Sequence, residues 1–407
     1  MPNSLYANLP TTVFAEMTDL ARALNAINLG QGYPDGPGPE AVRAKAADAV
    51  LNGDNQYPPM TGLPELRAAV AAHYGRTQGL TLDWRNEVTI TSGATEALAV
   101  SFLGLIEPGD EVIVFEPVYD SYLPVIRRAG GVPRLVTLKP PHWRFDRAML
   151  EAAFTPRTRL VVLNNPTNPT GVVMPDEDLR LLAEFCVAHD VVAVCDEVWE
   201  QVVFGRARHR PLFSYPGMRE RTVKIGSAGK MFGLTGWKVG WLCAAPALTH
   251  TLVRAHQFLT FTTAPNLQSA VAWGLENPAE WFETMPRDMA RSRERLADGL
   301  RREGFAVLPS EGTYFLNIDL VGSGVSEGDR AFCLRAVKEA GVAAIPVSAF
   351  YEADPVTSIV RLCFSKADAT LDEGVMRLTR ARDLSIPAST AGSDGRRPPA
   401  EVRGGAK

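Results

Sequence analysis

From Leu63 to Ile225 the chain alternates segments of helical apolar spacing with short, wholly apolar runs. Leu63, Leu66, Val70 and Tyr74 recur on one helix face, and Pro64 suits a first-turn position, where an N–H would have no partner. Glu87 to Thr91 reads as a strand, Ser92-Gly93-Ala94 as a turn, and the next residues as a helix through Leu105. Glu111 to Phe115, Arg159 to Leu163 and Val191 to Cys195 are further short runs rich in Val, Ile or Leu, with little alternation. Strands that are apolar on both faces and separated by helices predict an α/β fold with a mainly parallel sheet covered on both sides.

The pattern then changes. Pro286 to Gly304 is helical in spacing and strongly charged, with Arg287, Arg291, Arg295, Arg301 and Arg302, which predicts a solvated helix face and a link between two domains. Phe305 to Leu308, Thr313 to Asp319, Val342 to Pro346 and Ser358 to Phe364 read as strands around a helix near Arg330 to Ala340, a smaller α+β unit. The tail from Ser385 to Lys407 is rich in Ser, Gly, Pro and Arg without apolar periodicity, and is expected to be disordered.

A length of 407 residues exceeds what one core sustains and supports the two-domain reading. The net charge of −4 offers no basic excess for a polyphosphate backbone, so nucleic acid is not an expected partner. Cys186, Cys195, Cys243, Cys333 and Cys363 are dispersed without paired spacings, which argues against a disulfide framework or a metal site and fits a reducing cytoplasm. Acidic Glu16 and Asp19 do not suit a signal peptide, and the apolar stretch Ala97 to Ile106 is too short to span a membrane.

Candidate chemistry concentrates in the run Ile225-Gly226-Ser227-Ala228-Gly229-Lys230, continuing to Gly236-Trp237-Lys238. A lysine buried among small residues loses hydration, which favours the neutral amine, and such an amine forms Schiff bases with carbonyl compounds. Ser227 and Lys238 are placed to serve an anion; a glycine-rich loop with two solvated lysines is the plain alternative. A P-loop is excluded, because Lys224 and Met231 occupy positions that would need Gly and Ser or Thr.

Other polar residues fall at predicted strand ends, where open parallel sheets bind ligands. Thr91-Ser92-Gly93-Ala94-Thr95-Glu96 opens a helix and could cradle a phosphate, or be an ordinary cap. Asn168 sits in a proline-stiffened loop, Asn164 to Gly171, that a plain turn could also explain. Asp196 and Glu197 end a buried strand and need a cationic partner, either a protonated heterocycle or an arginine. Arg361 interrupts an apolar strand and needs an anion, either a substrate carboxylate or a structural acid.

In this order the set resembles the class I pyridoxal-phosphate aminotransferases of fold type I, in the branch of kynurenine/glutamine, methionine and succinyldiaminopimelate transaminases. The resemblance runs from about Thr11 to Leu384, through Asn28-Leu29-Gly30-Gln31-Gly32-Tyr33-Pro34-Asp35, Asn55-Gln56-Tyr57, Asn168-Pro169-Thr170-Gly171, Ser227 to Lys230, Gly236 to Trp241 and Val360-Arg361. It implies a seven-stranded, mainly parallel sheet in a three-layer α/β/α sandwich. The implied division is residues 1–43 as an N-terminal arm with part of the small domain, 44–290 as the large cofactor domain, and 291–384 as the small α+β domain. Pyridoxal 5'-phosphate is the implied cofactor, joined to Lys230, which also moves the substrate α-proton. Asp196 is expected at the pyridine nitrogen and Asn168 at the ring phenolate. Ala94, Thr95, Ser227 and Lys238 are expected at the phosphate, with Tyr57 reaching over from the partner of a homodimer. Tyr119 would stack on the ring, and Arg361, helped by Gly32, would clamp the substrate carboxylate. Trp199 departs from the family, which has tyrosine there; an indole can donate a hydrogen bond but projects differently.

The implied reaction is ping-pong transfer of an amino group from a small-molecule amino acid to a 2-oxo acid. Phe14, Tyr33, Phe261 and Phe350 match pocket-lining regions of the family, and no arginine stands out for a second carboxylate, so uncharged sulfur-containing or aromatic donors are expected. The alternatives are N-succinyl-diaminopimelate with 2-oxoglutarate, a cysteine-S-conjugate β-lyase, and a cofactor-sensing transcription regulator. The last carries an added helix-turn-helix domain, for which a pattern beginning near Thr11 is expected to leave no room.

Overall fold

The computed structural model describes residues 2–277 and 279–385. The segment expected to be a disordered tail lies outside these residues, except Ser385, which closes the helix Asp368–Ser385. In chain order the strands are Ile27–Asn28 (β1), Val88–Thr91 (β2), Glu111–Glu116 (β3), Val132–Thr137 (β4), Thr158–Asn164 (β5), Val192–Asp196 (β6), Thr222–Ser227 (β7), Gly240–Cys243 (β8), Ala306–Val307 (β9), Phe315–Asp319 (β10), Val342–Ala343 (β11), Ile345–Pro346 (β12) and Ile359–Cys363 (β13).

Seven strands form the main sheet in the order β2-β8-β7-β6-β5-β3-β4. All neighbours run parallel except around β8, which is antiparallel to both β2 and β7. Strands β3, β7 and β8 are buried along their whole length, but of these only β3 reads as a continuous apolar run, since β7 carries Thr222, Lys224 and Ser227. Strand β4 escapes that pattern: as the edge strand it is half exposed and carries Pro133, tolerable where ladder hydrogen bonding is one-sided. Asn164 pairs with Asp196, and Asp196 with Ile225, so the ends of β5, β6 and β7 present their polar residues side by side.

A second, antiparallel sheet has the order β12-β13-β10-β9, with Arg361 in its middle opposite Asn317 and Ile345. Strand β1 pairs parallel with β11, tying the N-terminal segment to the C-terminal part of the chain. The charged helix begins earlier than its sequence pattern suggests, at Ala279, and runs through Pro286 to Arg302. Its five named arginines are exposed, while Leu296, Ala297 and Leu300 are buried, so the solvated face and the core stripe coexist. The helix continues without a break across the expected 290/291 boundary. Among the described residues no helix is long and apolar enough to cross a membrane.

Candidate active site

The carboxyl ends of β5, β6 and β7 and the helix after β2 surround a cavity of about 400 Å³. Gly32, Phe14, Ala94, Thr95, Tyr119, Asn168, Asp196, Trp199, Ser227, Lys230, Lys238 and Arg361 all line it. Tyr57 does not; its ring is 83% exposed and packs edge-on against Phe261 at 5.7 Å. Tyr33 and Phe261 are likewise exposed and off the cavity wall, and Phe350 stands behind Phe14 at 5.4 Å.

One end of the cavity is an anion cradle. Helix Gly93–Leu105 begins with no side-chain cap, so its first amides have no intrahelical partner and the helix dipole adds partial positive charge. The ordinary-cap reading of Ser92 therefore fails: its hydroxyl caps nothing, and its backbone N–H donates instead to the Glu96 carboxylate. Gly93 has φ +72, and a Cβ there would lie 3.2 Å from the Lys238 ammonium. Gly240 in turn lets β8 approach the Gly93 backbone, which an added Cβ would meet at 2.6 Å. Lys238 donates to Thr95 Oγ1 at 3.2 Å, and Ser227 lines the same cavity.

Asp196 closes the floor. It is buried and accepts a 2.5 Å hydrogen bond from the Tyr122 hydroxyl. Among the described residues no arginine pairs with it, so the salt-bridge alternative is not realised. Burial raises its pKa, opposed by Tyr122, the Val198 N–H and Lys230. The Asn164 amide donates to the Asp196 backbone carbonyl at 2.9 Å, and its Oδ1 accepts the Asn168 N–H at 2.7 Å, fixing the loop that carries Asn168.

Lys230 follows β7 in a single helical turn, Ala228–Met231. Its ammonium lies 4.8 Å from the Trp199 ring, and among the described residues no carboxylate forms an ion pair with it. Burial pulls its pKa down to about 8, Asp196 acting against that and Lys238 and Arg361 reinforcing it. Tyr314 donates to the Lys230 carbonyl at 2.9 Å and packs edge-on against Trp199 at 4.6 Å.

Arg361 is buried and lines the same cavity, and among the described residues it has no carboxylate partner. It donates to Asn168 Oδ1 at 2.8 Å and to the Gly30 carbonyl at 2.7 Å, and its Nε has no partner among the described residues. Phe14, Phe315 and Phe350 surround its guanidinium, Phe315 at 3.9 Å. Burial lowers its pKa to about 10, which still leaves it charged at neutral pH. Tyr119 also lines the cavity, its phenol pushed up to about 12 by burial with help from Asp120 and Asp196.

Tyr122, Asn164 and Tyr314 are the site residues that the sequence reading did not single out. Tyr122 follows Tyr119 at helical spacing and looks like core; only its register with Asp196 reveals it.

The polar groups of this cavity fit pyridoxal 5'-phosphate. An uncapped helix start beside a lysine suits a phosphate, a buried carboxylate without a cation suits a protonated ring nitrogen, and a desolvated amine suits an aldehyde. An α/β fold with a mainly parallel central sheet and that combination at its strand ends is a pyridoxal-phosphate transferase of fold type I. Residues 25–378 match the profile described as aminotransferase class I and II. The chain is 45% identical to a probable N-succinyldiaminopimelate aminotransferase of Mycobacterium tuberculosis, over 91% of this chain and 96% of that protein. It is 41% identical to the methionine aminotransferase of Escherichia coli, over 93% and 98% respectively. The solved structure of the Mycobacterium tuberculosis N-succinyldiaminopimelate aminotransferase superposes with a TM-score of 0.91 at 44% identity, covering 94% of this chain and all of that one (100%). The chain belongs to the class I and II aminotransferases: it is a pyridoxal-phosphate-dependent enzyme that transfers amino groups.

Proposed function

We propose that the protein moves the amino group of an uncharged L-amino acid, of the methionine, glutamine or kynurenine type, to a 2-oxo acid by alternating half-reactions. One observation carries the substrate class: among the described residues, the cations lining the cavity are Lys230, Lys238 and Arg361. Lys238 is committed to the cradle and Lys230 to chemistry, which leaves one arginine for one carboxylate.

When bound, pyridoxal 5'-phosphate supplies an electron sink that makes the substrate α-proton acidic. Lys230 would hold the cofactor through its amine and would move the substrate α-proton. Asp196 would keep a proton at the ring nitrogen, and the Tyr122 hydrogen bond favours its ionised form against the opposing effect of burial. Asn168 would hold the ring oxygen through its amide while its own oxygen orients Arg361. Ala94, Thr95, Ser227 and Lys238 would bind the phosphate, and Tyr119 and Trp199 would flank the cofactor. Arg361 takes the substrate carboxylate with the Gly32 backbone beside it, and Phe14 excludes water from that contact.

A homodimer with active sites at its interface belongs to this proposal. Tyr57, Phe258 and Phe261 are 83%, 82% and 42% exposed, an aromatic surface suited to a second copy that would bring Tyr57 to the phosphate. A cytoplasmic location, a large domain near 44–290 and a small one near 291–384 complete it. A second reading, N-succinyl-diaminopimelate with 2-oxoglutarate, is supported by the 45% identity to a protein of that name. Steady-state rates for a panel of amino donors against several 2-oxo acids decide. Preference for methionine, glutamine or aromatic donors supports the proposal; preference for aspartate or for N-succinyl-diaminopimelate overturns it.

A further inference from the structure

The cavity wall holds one charged residue that the proposed chemistry leaves unused. Asp120 stands between Tyr119 and the helix Tyr122–Arg128 and is only partly buried. It lines the same cavity as Lys230 and Arg361. Among the described residues its carboxylate forms no ion pair and no side-chain hydrogen bond; Arg361, the cation of the same wall, is turned instead to Asn168 and Gly30. Burial raises the Asp120 pKa, opposed by Arg361 and by the backbone N–H groups of Ser121 and of Asp120 itself. A partly buried acid that no cation pairs with, among the described residues, acts on whatever side chain enters the cavity.

We propose that Asp120 is a specificity residue: it selects amino acids whose side chains end in an N–H donor and rejects those that end in a second carboxylate. This rests on the transamination reading above and names its substrate class more narrowly. A terminal carboxamide, aniline or indole N–H can donate to the Asp120 carboxylate while Arg361 holds the α-carboxylate. A terminal carboxylate meets like charge at a partly buried acid, where repulsion is screened less than in bulk water. A thioether offers neither, so methionine is accepted without help from this residue.

Glutamine, methionine and glutamate have similar side-chain lengths and differ in that terminal group, which makes them the probe. In cofactor-loaded wild-type enzyme, kcat/KM for glutamine should exceed that for glutamate by on the order of tenfold or more. Asp120→Asn keeps the acceptor that faces the local backbone N–H groups but removes the charge. It should shrink the glutamine-to-glutamate ratio by about tenfold, mainly through KM, with methionine changed by less than about twofold. Asp120→Glu should keep the wild-type order, and Asp120→Ser serves if the Asn variant does not fold. The proposal is overturned if the ratio is unchanged in a folded, cofactor-loaded variant, or if all three substrates lose activity equally. If wild-type enzyme transaminates none of the three, it is the underlying reading that fails, and the two failures are distinct.

Discussion

Lys224 and Lys230 lie six positions apart on one strand and its following turn, and their surroundings are opposite. Lys224 is completely buried and pairs with the carboxylates of Glu197 and Glu200, the latter at 2.6 Å. Glu200 also accepts from the Tyr74 hydroxyl at 2.8 Å and the Gln78 amide at 2.5 Å, and Trp241 donates to Tyr74 at 2.8 Å. Burial alone would lower the Lys224 pKa, but the two carboxylates reverse it and hold the ammonium charged. Lys230 has a neighbouring ring and, among the described residues, no paired acid, so burial wins and its pKa falls to about 8. The same desolvation thus yields a structural cation where anions compensate it and a reactive amine where they do not. Arg361 extends the lesson: a buried guanidinium whose Nε is unpartnered awaits an anion from outside the chain.

Exchanging the fates of the two lysines tests this comparison most severely. Lys230→Ala should lower transamination by at least about 10³-fold while leaving the denaturation midpoint close to wild type. Lys224→Met should do the reverse. It strands two buried carboxylates and should cost about 3–5 kcal/mol in urea unfolding, with activity per folded molecule largely kept. Adding Glu197→Gln and Glu200→Gln to that variant should restore much of the loss, because the buried charges then vanish together. A Lys224→Met protein as stable as wild type would show that the cluster is not a saturated ion network.

Arg361→Leu should raise KM for the amino donor by about 10²-fold, the scale of losing a bidentate charge pair, with a smaller change in kcat. Equal effects on kcat and KM would instead place Arg361 in the structural class of Lys224.

A pH experiment sharpens the contrast further. Without cofactor, the Lys230 ammonium titrates near 8 in the folded chain, below the unfolded lysine value of about 10.4. The folded state binds fewer protons across that window, so the penalty is fully present below pH ~8 and is relieved as pH rises to ~10.4. The stability advantage of cofactor-free Lys230→Met over wild type, measured by unfolding, should therefore shrink between those pH values. An advantage that grows with pH would mean that Lys230 is held charged.

The smallest expected effect is at Trp199, whose ring packs between Tyr314 and Phe315 and faces Lys230. Trp199→Tyr should keep kcat within about fivefold of wild type but shift the pH at which the bound cofactor's absorbance changes. Unchanged kinetics and an unchanged titration would show the indole to be a neutral replacement.

Much of this was legible in the chain. The ends of β2, β5 and β6 follow from apolar runs that stop at polar residues, and Lys230, Asp196 and Arg361 stood out as charges embedded in apolar or small neighbours. Lys224 did not stand out, although it obeys the same rule: its partners Glu197 and Glu200 are distant in sequence, and nothing local distinguishes a compensated charge from an uncompensated one. Strand β4 was hidden by Pro133 and Arg134, and β8 by the chain reversal that places it antiparallel between β2 and β7. Tyr122 carries no sequence signal because its role depends on a hydrogen bond spanning 74 positions.

The most direct test of the uncompensated lysine is borohydride reduction of the cofactor-loaded enzyme followed by peptide mapping. A pyridoxyl group fixed to Lys230, with Lys224 and Lys238 unmodified, is the predicted result. A label on either of those lysines, or on none, would contradict the account.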